Sequence, residues 1–234
     1  MYRDFYLFGK NIINNKTKTL DSIELSLRKK SIERGSDYFP VDEYVNILKN
    51  QNAHHDYLGW LKERLLELFQ DRPDIKFYLN IDHQELEYSE TFEFLESMKD
   101  FNNSLLIEIT EILPFKRLEY FEYNAKEKIK IIRNLGFKVA LADVCSGINS
   151  LGNVMEVIDS LHRLKFSTRS LKNINNVIMF ELISLLDNLC KSFNKDFVVE
   201  GVELREWLKK KSKDRGCFFV ESSSTYNEVE IVGN

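Results

Sequence analysis

Polar or charged side chains recur at or near the ends of six short apolar segments of this 234-residue chain. In chain order they are Glu24, Asn80, Glu108, Asp143, Lys165 and Glu200. The segments show the two-residue alternation of β-strands, in which neighbouring side chains point to opposite faces. If the strands are parallel, their carboxyl ends meet at one face of the fold and bring these six side chains together.

Oxygen atoms dominate this set. The carboxylate and amide oxygens of Glu24, Asn80, Glu108 and Asp143 suit Mg²⁺ or Mn²⁺ far better than Zn²⁺. Each residue taken singly also has an ordinary structural interpretation: a Glu in an amphipathic strand usually faces solvent, and a Lys can protect a strand edge from aggregation. The repetition across successive strands is what favours a shared site.

Short strand-like segments alternate with longer helical segments along the whole chain. The strand candidates are Phe5–Ile13, Ser22–Arg28, Lys76–Asp82, Ser104–Thr110, Lys138–Val144, Leu164–Ser167, Asp196–Glu200 and Cys217–Glu221. The helical candidates are Val41–Lys49, Tyr57–Phe69, Lys126–Leu135, Val154–Leu161, Ile174–Phe193 and Leu204–Lys211. Pro40 suits the first turn of a helix, and Gly136 suits a helix C-terminus.

The turn between the first two strand candidates, residues 14–18, is too short for a parallel crossover. The two strands are therefore predicted to pair antiparallel. The pattern predicts an α/β fold, a TIM-type (β/α)8 barrel with an antiparallel first strand, formed as a single domain over residues 1–234. An open doubly wound sheet is the main alternative.

The composition argues against several functional classes. The net charge is −4, and the basic residues are spread out, so we expect no binding to a nucleic acid polymer. Three distant cysteines without a CxxC pair suit a reducing compartment. The longest apolar stretch, 177–186, is too short to span a membrane, and the first residues lack the features of a signal peptide. We therefore expect a cytoplasmic protein without membrane contact.

Several short motifs stand in the order and spacing of one known family. The segment 24–28 reads Glu-Leu-Ser-Leu-Arg, 106–111 reads Leu-Ile-Glu-Ile-Thr-Glu, and 199–203 reads Val-Glu-Gly-Val-Glu. These motifs, with the strands of Asn80 and Lys165 and the loop after Asp143, resemble the EAL family of cyclic di-GMP phosphodiesterases. The similarity covers nearly the whole chain.

The resemblance implies hydrolysis of one phosphodiester bond of cyclic di-GMP by two metal ions. The residues in or beside the metal cluster would be Glu24, Asn80, Glu108 and Asp143, with Mg²⁺ or Mn²⁺ as the cofactor. Lys165 would steady the attacking water or the phosphate, and Glu200 would act as general base or as a ligand of the second metal. The ligand-binding residues would be Arg28, Lys10 and Glu221.

Several positions depart from the family pattern. Ala142 replaces the first aspartate of an Asp-Asp pair, and its methyl group offers no oxygen to offset the repulsion between two cations only about 4 Å apart. Cys145 replaces a loop glycine, where a Cβ atom restricts any conformation with positive φ. Among the ligand positions, Lys10 replaces Gln, Ser167 replaces Asp, and Glu221 replaces Gln.

These departures predict a degenerate bacterial signalling module that is catalytically inactive and has no tightly bound cofactor. We expect it to regulate by binding a protein partner, with weakened affinity for cyclic di-GMP, and the resemblance also implies a homodimer. The alternative is a weakly active metal-dependent phosphodiesterase, because the six polar residues remain. Aromatic residues at 57–60 and 120–123 are candidates either for partner contacts or for core packing.

Overall fold

The structure is a computed structural model that describes residues 2–30, 37–114, 125–171, 173–201, 219–221 and 230–231. The strands are β1 (Phe5–Asn14), β2 (Leu20–Lys29), β3 (Phe77–Ile81), β4 (Leu105–Ile109), β5 (Val139–Leu141), β6 (Arg163–Ser167), β7 (Asp196–Glu200), β8 (Phe219–Glu221) and β9 (Glu230–Ile231). The helices are α1 (Val41–Lys49), α2 (Gln51–Asp71), α3 (Ser89–Ser97), α4 (Ala125–Asn134), α5 (Leu151–Val157) and α6 (Asn176–Ser192).

The strands form a closed barrel. From β2 to β8, each strand pairs in parallel with the next one along the chain. Strand β1 closes the barrel by pairing antiparallel with both β2 and β8. This arrangement confirms the predicted TIM-type (β/α)8 barrel with an antiparallel first strand. The short strand β9 was not predicted, and it pairs antiparallel with β1 at Leu7 and Phe8.

Most element boundaries lie close to the sequence prediction, and the exceptions have local causes. Helix α2 begins six residues before the predicted Tyr57, because the Asn50 side chain accepts a hydrogen bond from the Ala53 amide at 3.1 Å and caps the helix. Pro40 lies at the N-cap position of α1 and not in its first turn. Gly136 follows α4 with a φ of +94°, as predicted for a helix end. The predicted helix 204–211 lies outside the described residues.

Alternation along the strands divides the core into two parts. The outward apolar side chains, such as Leu25, Leu79 and Ile107, pack against the surrounding helices. The inward ones fill the amino-terminal half of the barrel, and they are Ile12, Tyr78, Leu106, Ala140 and Val198, with Phe219 packed against them. The next inward positions, towards the carboxyl ends of the strands, are mostly polar and form the site described below.

The aromatic segment at the middle of α2 belongs to the core. Tyr57 and Leu58 are buried, and Trp60 packs against the rings of Tyr2 and Phe5. Tyr57, Leu58 and Trp60 therefore contribute to core packing, whereas residues 120–123 lie outside the described residues. Within the described part of the chain, no helix is both long and apolar enough to cross a membrane.

Candidate functional site

Three oxygen-bearing side chains meet inside the barrel near the carboxyl ends of β2, β3 and β4. Asn80 and Glu108 are direct partners in the β3–β4 register. The Asn80 Nδ2 atom donates to Glu24 Oε1 at 3.1 Å and to the Leu25 carbonyl at 3.3 Å. Glu24 and Glu108 are both buried. The structure thus brings together the first three residues of the predicted set.

Lys165 joins these carboxylates from the opposite side of the barrel. Its Nζ atom lies 3.1 Å from Glu108 Oε1 and also contacts Glu24 Oε2. The lysine is almost fully buried on β6. Because a buried ammonium group is costly unless it is paired, these two carboxylate contacts offset the burial of Lys165 at the centre of the site.

Lys10 and Glu200 extend the cluster towards β7. Lys10 is the direct register partner of Glu24 in the β1–β2 pairing. Its Nζ atom lies 3.4 Å from Glu24 Oε1 and 3.9 Å from Glu200 Oε1. The Arg169 Nη1 atom lies 3.8 Å from the same Glu200 oxygen. Sequence reasoning assigned Lys10 to the ligand and gave Arg169 no role, yet both face carboxylates of the cluster.

The turn after β5 carries Ala142 and Asp143. The buried Ala142 donates its backbone N–H to the Ile109 carbonyl at 2.9 Å, so the chain still follows β4 at this point. Asp143 begins the turn with a φ of +44° and is half-buried. Cys145 has a φ of +71°. It therefore adopts the left-handed conformation, which a Cβ atom disfavours. At Gly147 an added Cβ atom would approach within 2.2 Å of the Glu111 carbonyl oxygen.

A cavity of about 390 Å³ lies next to this cluster, at the ends of β2 and β3 and under α1. Its lining is mainly apolar, and its polar members include Arg28, Asn80, Asp82 and Thr110. Arg28 donates from Nη1 to the Leu27 carbonyl at 2.8 Å, and its guanidinium lies 5.3 Å from the centre of the Phe8 ring. Glu221 on β8 is in register with Glu200. The volume is within the range of small-molecule sites.

A second buried polar cluster borders this cavity and was missed by sequence reasoning. The Glu85 carboxylate accepts hydrogen bonds from the Tyr44 hydroxyl at 3.0 Å and the Asp82 amide at 2.8 Å. His54 Nε2 lies 3.3 Å from the other Glu85 oxygen, and Thr110 donates to Asp82 at 2.5 Å. Burial and the neighbouring Glu85 raise the pKa of Asp82 to about 7. No sequence spacing signals these contacts.

The donor set does not fit a pair of divalent cations. Three carboxylates and one amide share the barrel end with two ammonium groups, and position 142 contributes a methyl group. Among the residues that the structure describes, no three His, Cys, Asp or Glu side chains form a group that could hold a metal ion. Metal binding by Glu24, Asn80, Glu108 and Asp143 stays a prediction.

The fold and the site together define a class of protein: a (β/α)8 barrel with a polar, oxygen-rich cluster at the carboxyl ends of its strands. The sequence matches the model of the EAL domain over residues 3–221, so the chain belongs to the EAL domain family. No curated protein matches the sequence closely enough to count as a relative.

Solved structures show the same fold at low sequence identity. An EAL domain protein from Listeria monocytogenes is 19% identical with a TM-score of 0.70, and the match covers 94% of this chain and 86% of that one. The phosphodiesterase PaMucR, in complex with cyclic di-GMP, is 16% identical with a TM-score of 0.71, over 94% and 90% of the two chains.

A third structure is that of Klebsiella pneumoniae BlrP1 in complex with manganese and cyclic di-GMP. It is 18% identical with a TM-score of 0.70, and the match covers 94% of this chain. The chain spans only 55% of the length of BlrP1. At these identities the three likenesses concern the fold alone.

Proposed function

We propose that this chain is a degenerate EAL domain that does not hydrolyse cyclic di-GMP and acts as a regulatory binding module. The composition of the barrel end carries the proposal. Glu24 contacts both Lys10 and Lys165, Glu108 contacts Lys165 as well, and Ala142 offers no oxygen. Two close cations need carboxylates to offset their mutual repulsion, and here the carboxylates already face ammonium groups.

The proposed partners are a protein and, at the cavity beside Arg28, cyclic di-GMP. Similar structures have been solved with cyclic di-GMP, which makes it the ligand to test first. Separately from that protein partner, we propose that the chain forms a homodimer, as the resemblance to the EAL family implies. Val177, Ile178 and Leu185 are exposed on α6, and their spacing of seven and eight residues places them on one face of the helix. Burying such a face would favour association.

The first test is hydrolysis. Purified protein is incubated with cyclic di-GMP and Mg²⁺ or Mn²⁺, and linear dinucleotide is measured against the Glu24→Ala and Glu200→Ala variants as blanks. We expect the wild type to give no more product than the blanks, because the cluster lacks the ligands for two cations. Metal-dependent turnover that either substitution abolishes would contradict the proposal.

A weakly active phosphodiesterase is the second candidate, favoured by the convergence of Glu24, Asn80 and Glu108. Ala142→Asp separates the two candidates, and Ala142→Asn is the matched control of similar size without a charge. We expect no measurable hydrolysis by either variant, with the fold unchanged by circular dichroism. A large gain for Ala142→Asp alone would show that the rest of the site is competent and would favour the second candidate.

Ligand binding is tested separately from catalysis. Arg28 lines the cavity. If cyclic di-GMP enters the cavity, one of its phosphates should therefore contact the Arg28 guanidinium. We expect Arg28→Gln to weaken binding by about tenfold or more in isothermal titration calorimetry, as for the loss of a charge-assisted hydrogen bond. Arg64→Gln, which removes an arginine paired with Glu67 on α2, is the control and should leave affinity unchanged. Equal affinities for wild type and Arg28→Gln would exclude this binding mode.

A further inference from the structure

Backbone pairing fixes the position of Lys10 in the carboxylate cluster. Lys10 lies directly opposite Glu24 in the antiparallel β1–β2 ladder, where side chains of partner residues are neighbours on one face. Because β1 also closes the barrel, the same ammonium group approaches Glu200 on β7. Its side chain is 21% exposed, against 5% for that of Glu24. The charge therefore acts in a partly enclosed space.

Nitrogen donors of the chain engage both carboxylate oxygens of Glu24, one of the residues predicted to bind a metal ion. Oε1 of Glu24 accepts from Asn80 at 3.1 Å and faces Lys10 at 3.4 Å, while Oε2 contacts Lys165. A divalent cation bound to Glu24 would lie a few ångströms from the Lys10 ammonium group. At such distances in a partly enclosed site, repulsion between a single and a double positive charge is strong.

Lys10 is the cation that distinguishes this cluster. By the resemblance to the EAL family, a lysine is expected at position 165, whereas position 10 is expected to be a neutral glutamine. We infer that the ammonium group of Lys10 is a built-in replacement for a divalent cation and keeps the Glu24 cluster closed to metal ions. The inference concerns metal affinity alone and goes beyond the proposed function, because it holds whether or not the chain binds a nucleotide or a protein partner.

The test is a titration of the full chain with Mn²⁺ alone. Binding is measured by calorimetry and by the electron paramagnetic resonance signal of free Mn²⁺. We expect Lys10→Gln to bind one Mn²⁺ at least about a hundredfold more tightly than the wild type, because the repulsive charge is gone. The double variant Lys10→Gln with Glu24→Gln should return to wild-type affinity, which locates the ion. Lys29→Gln removes a lysine paired with Glu43 outside the cluster and should change nothing.

One outcome would overturn the inference: a folded Lys10→Gln variant whose Mn²⁺ affinity equals that of the wild type. If Lys10→Gln is too unstable for titration, its melting temperature is measured with and without Mn²⁺. A rise of several degrees in the variant and not in the wild type supports the inference by linkage, and the absence of a rise refutes it. Hydrolysis assays report on the proposed function separately.

Discussion

Replacing Arg163 by alanine is expected to lower the free energy of unfolding by about 4 kcal/mol. Arg163 begins β6 and is only 2% exposed. Its Nη2 atom donates to Asp21 Oδ2 at 2.9 Å and to Asp196 Oδ2 at 3.0 Å. One guanidinium thus ties the beginning of β2 to the beginning of β7. Alanine would leave a cavity and two neighbouring carboxylates without their cation.

The aromatic contacts of Arg163 add to this expectation. Its guanidinium lies 5.0 Å from the centre of the Tyr78 ring and 4.6 Å from that of Phe219, so it also fills the amino-terminal end of the barrel. Cation–π contacts of this kind favour a planar guanidinium over an ammonium group. We expect Arg163→Lys to retain part of the stability and to cost about 2 kcal/mol.

Urea denaturation of the wild type, Arg163→Ala and Arg163→Lys measures these differences in the free energy of unfolding. Arg133→Ala is the control, because the Arg133 side chain is exposed and donates only to the Asp159 carbonyl at 3.3 Å among its described contacts. Its expected cost is within about 0.5 kcal/mol. A loss below about 1 kcal/mol for Arg163→Ala would show that its two ion pairs merely offset the desolvation of the buried guanidinium.

The barrel could be predicted from the sequence because each strand carries its own evidence. Alternation in β2 to β4 separates the apolar residues that face the helices from Glu24, Asn80 and Glu108, which face inward. Helix α3 was missed because no Pro or Gly marks its ends, whereas the equally short α1 follows Pro40, and because it buries only Thr91, Phe94 and Leu95. Strand β9 has two residues and therefore no periodicity at all.

The contacts within the site depend on distances that no local pattern encodes. Arg163 meets Asp21 across 142 residues of sequence, and His54 meets Glu85 across 31. The approach of Lys10 to Glu200 requires both the β1–β2 register and the closure of the barrel. Local alternation predicts which face a side chain takes, but its partner there is decided by the packing of distant strands.

Asp82→Asn is expected to stabilise the protein relative to the wild type, and this gain in stability should be larger at alkaline pH than at acidic pH. Burial and Glu85 raise the pKa of Asp82 to about 7, whereas an aspartate in the unfolded chain titrates near pH 4. Between these values the folded protein holds a proton that the unfolded chain has released, so wild-type stability falls as the pH rises. Above pH 7 the full cost of a buried carboxylate is present, and asparagine avoids it.

Chemical denaturation of both proteins between about pH 4 and pH 8 measures this effect. The stability of Asp82→Asn relative to wild type should grow over that range by up to roughly 4 kcal/mol. The buried His83, whose pKa burial lowers to about 4, is present in both proteins, so its contribution largely cancels in the difference. Thr110→Val removes the hydroxyl that donates to Asp82 and favours its ionised form. Thr110→Val should therefore extend the loss of stability to higher pH, and a flat difference between Asp82→Asn and wild type would refute the raised pKa.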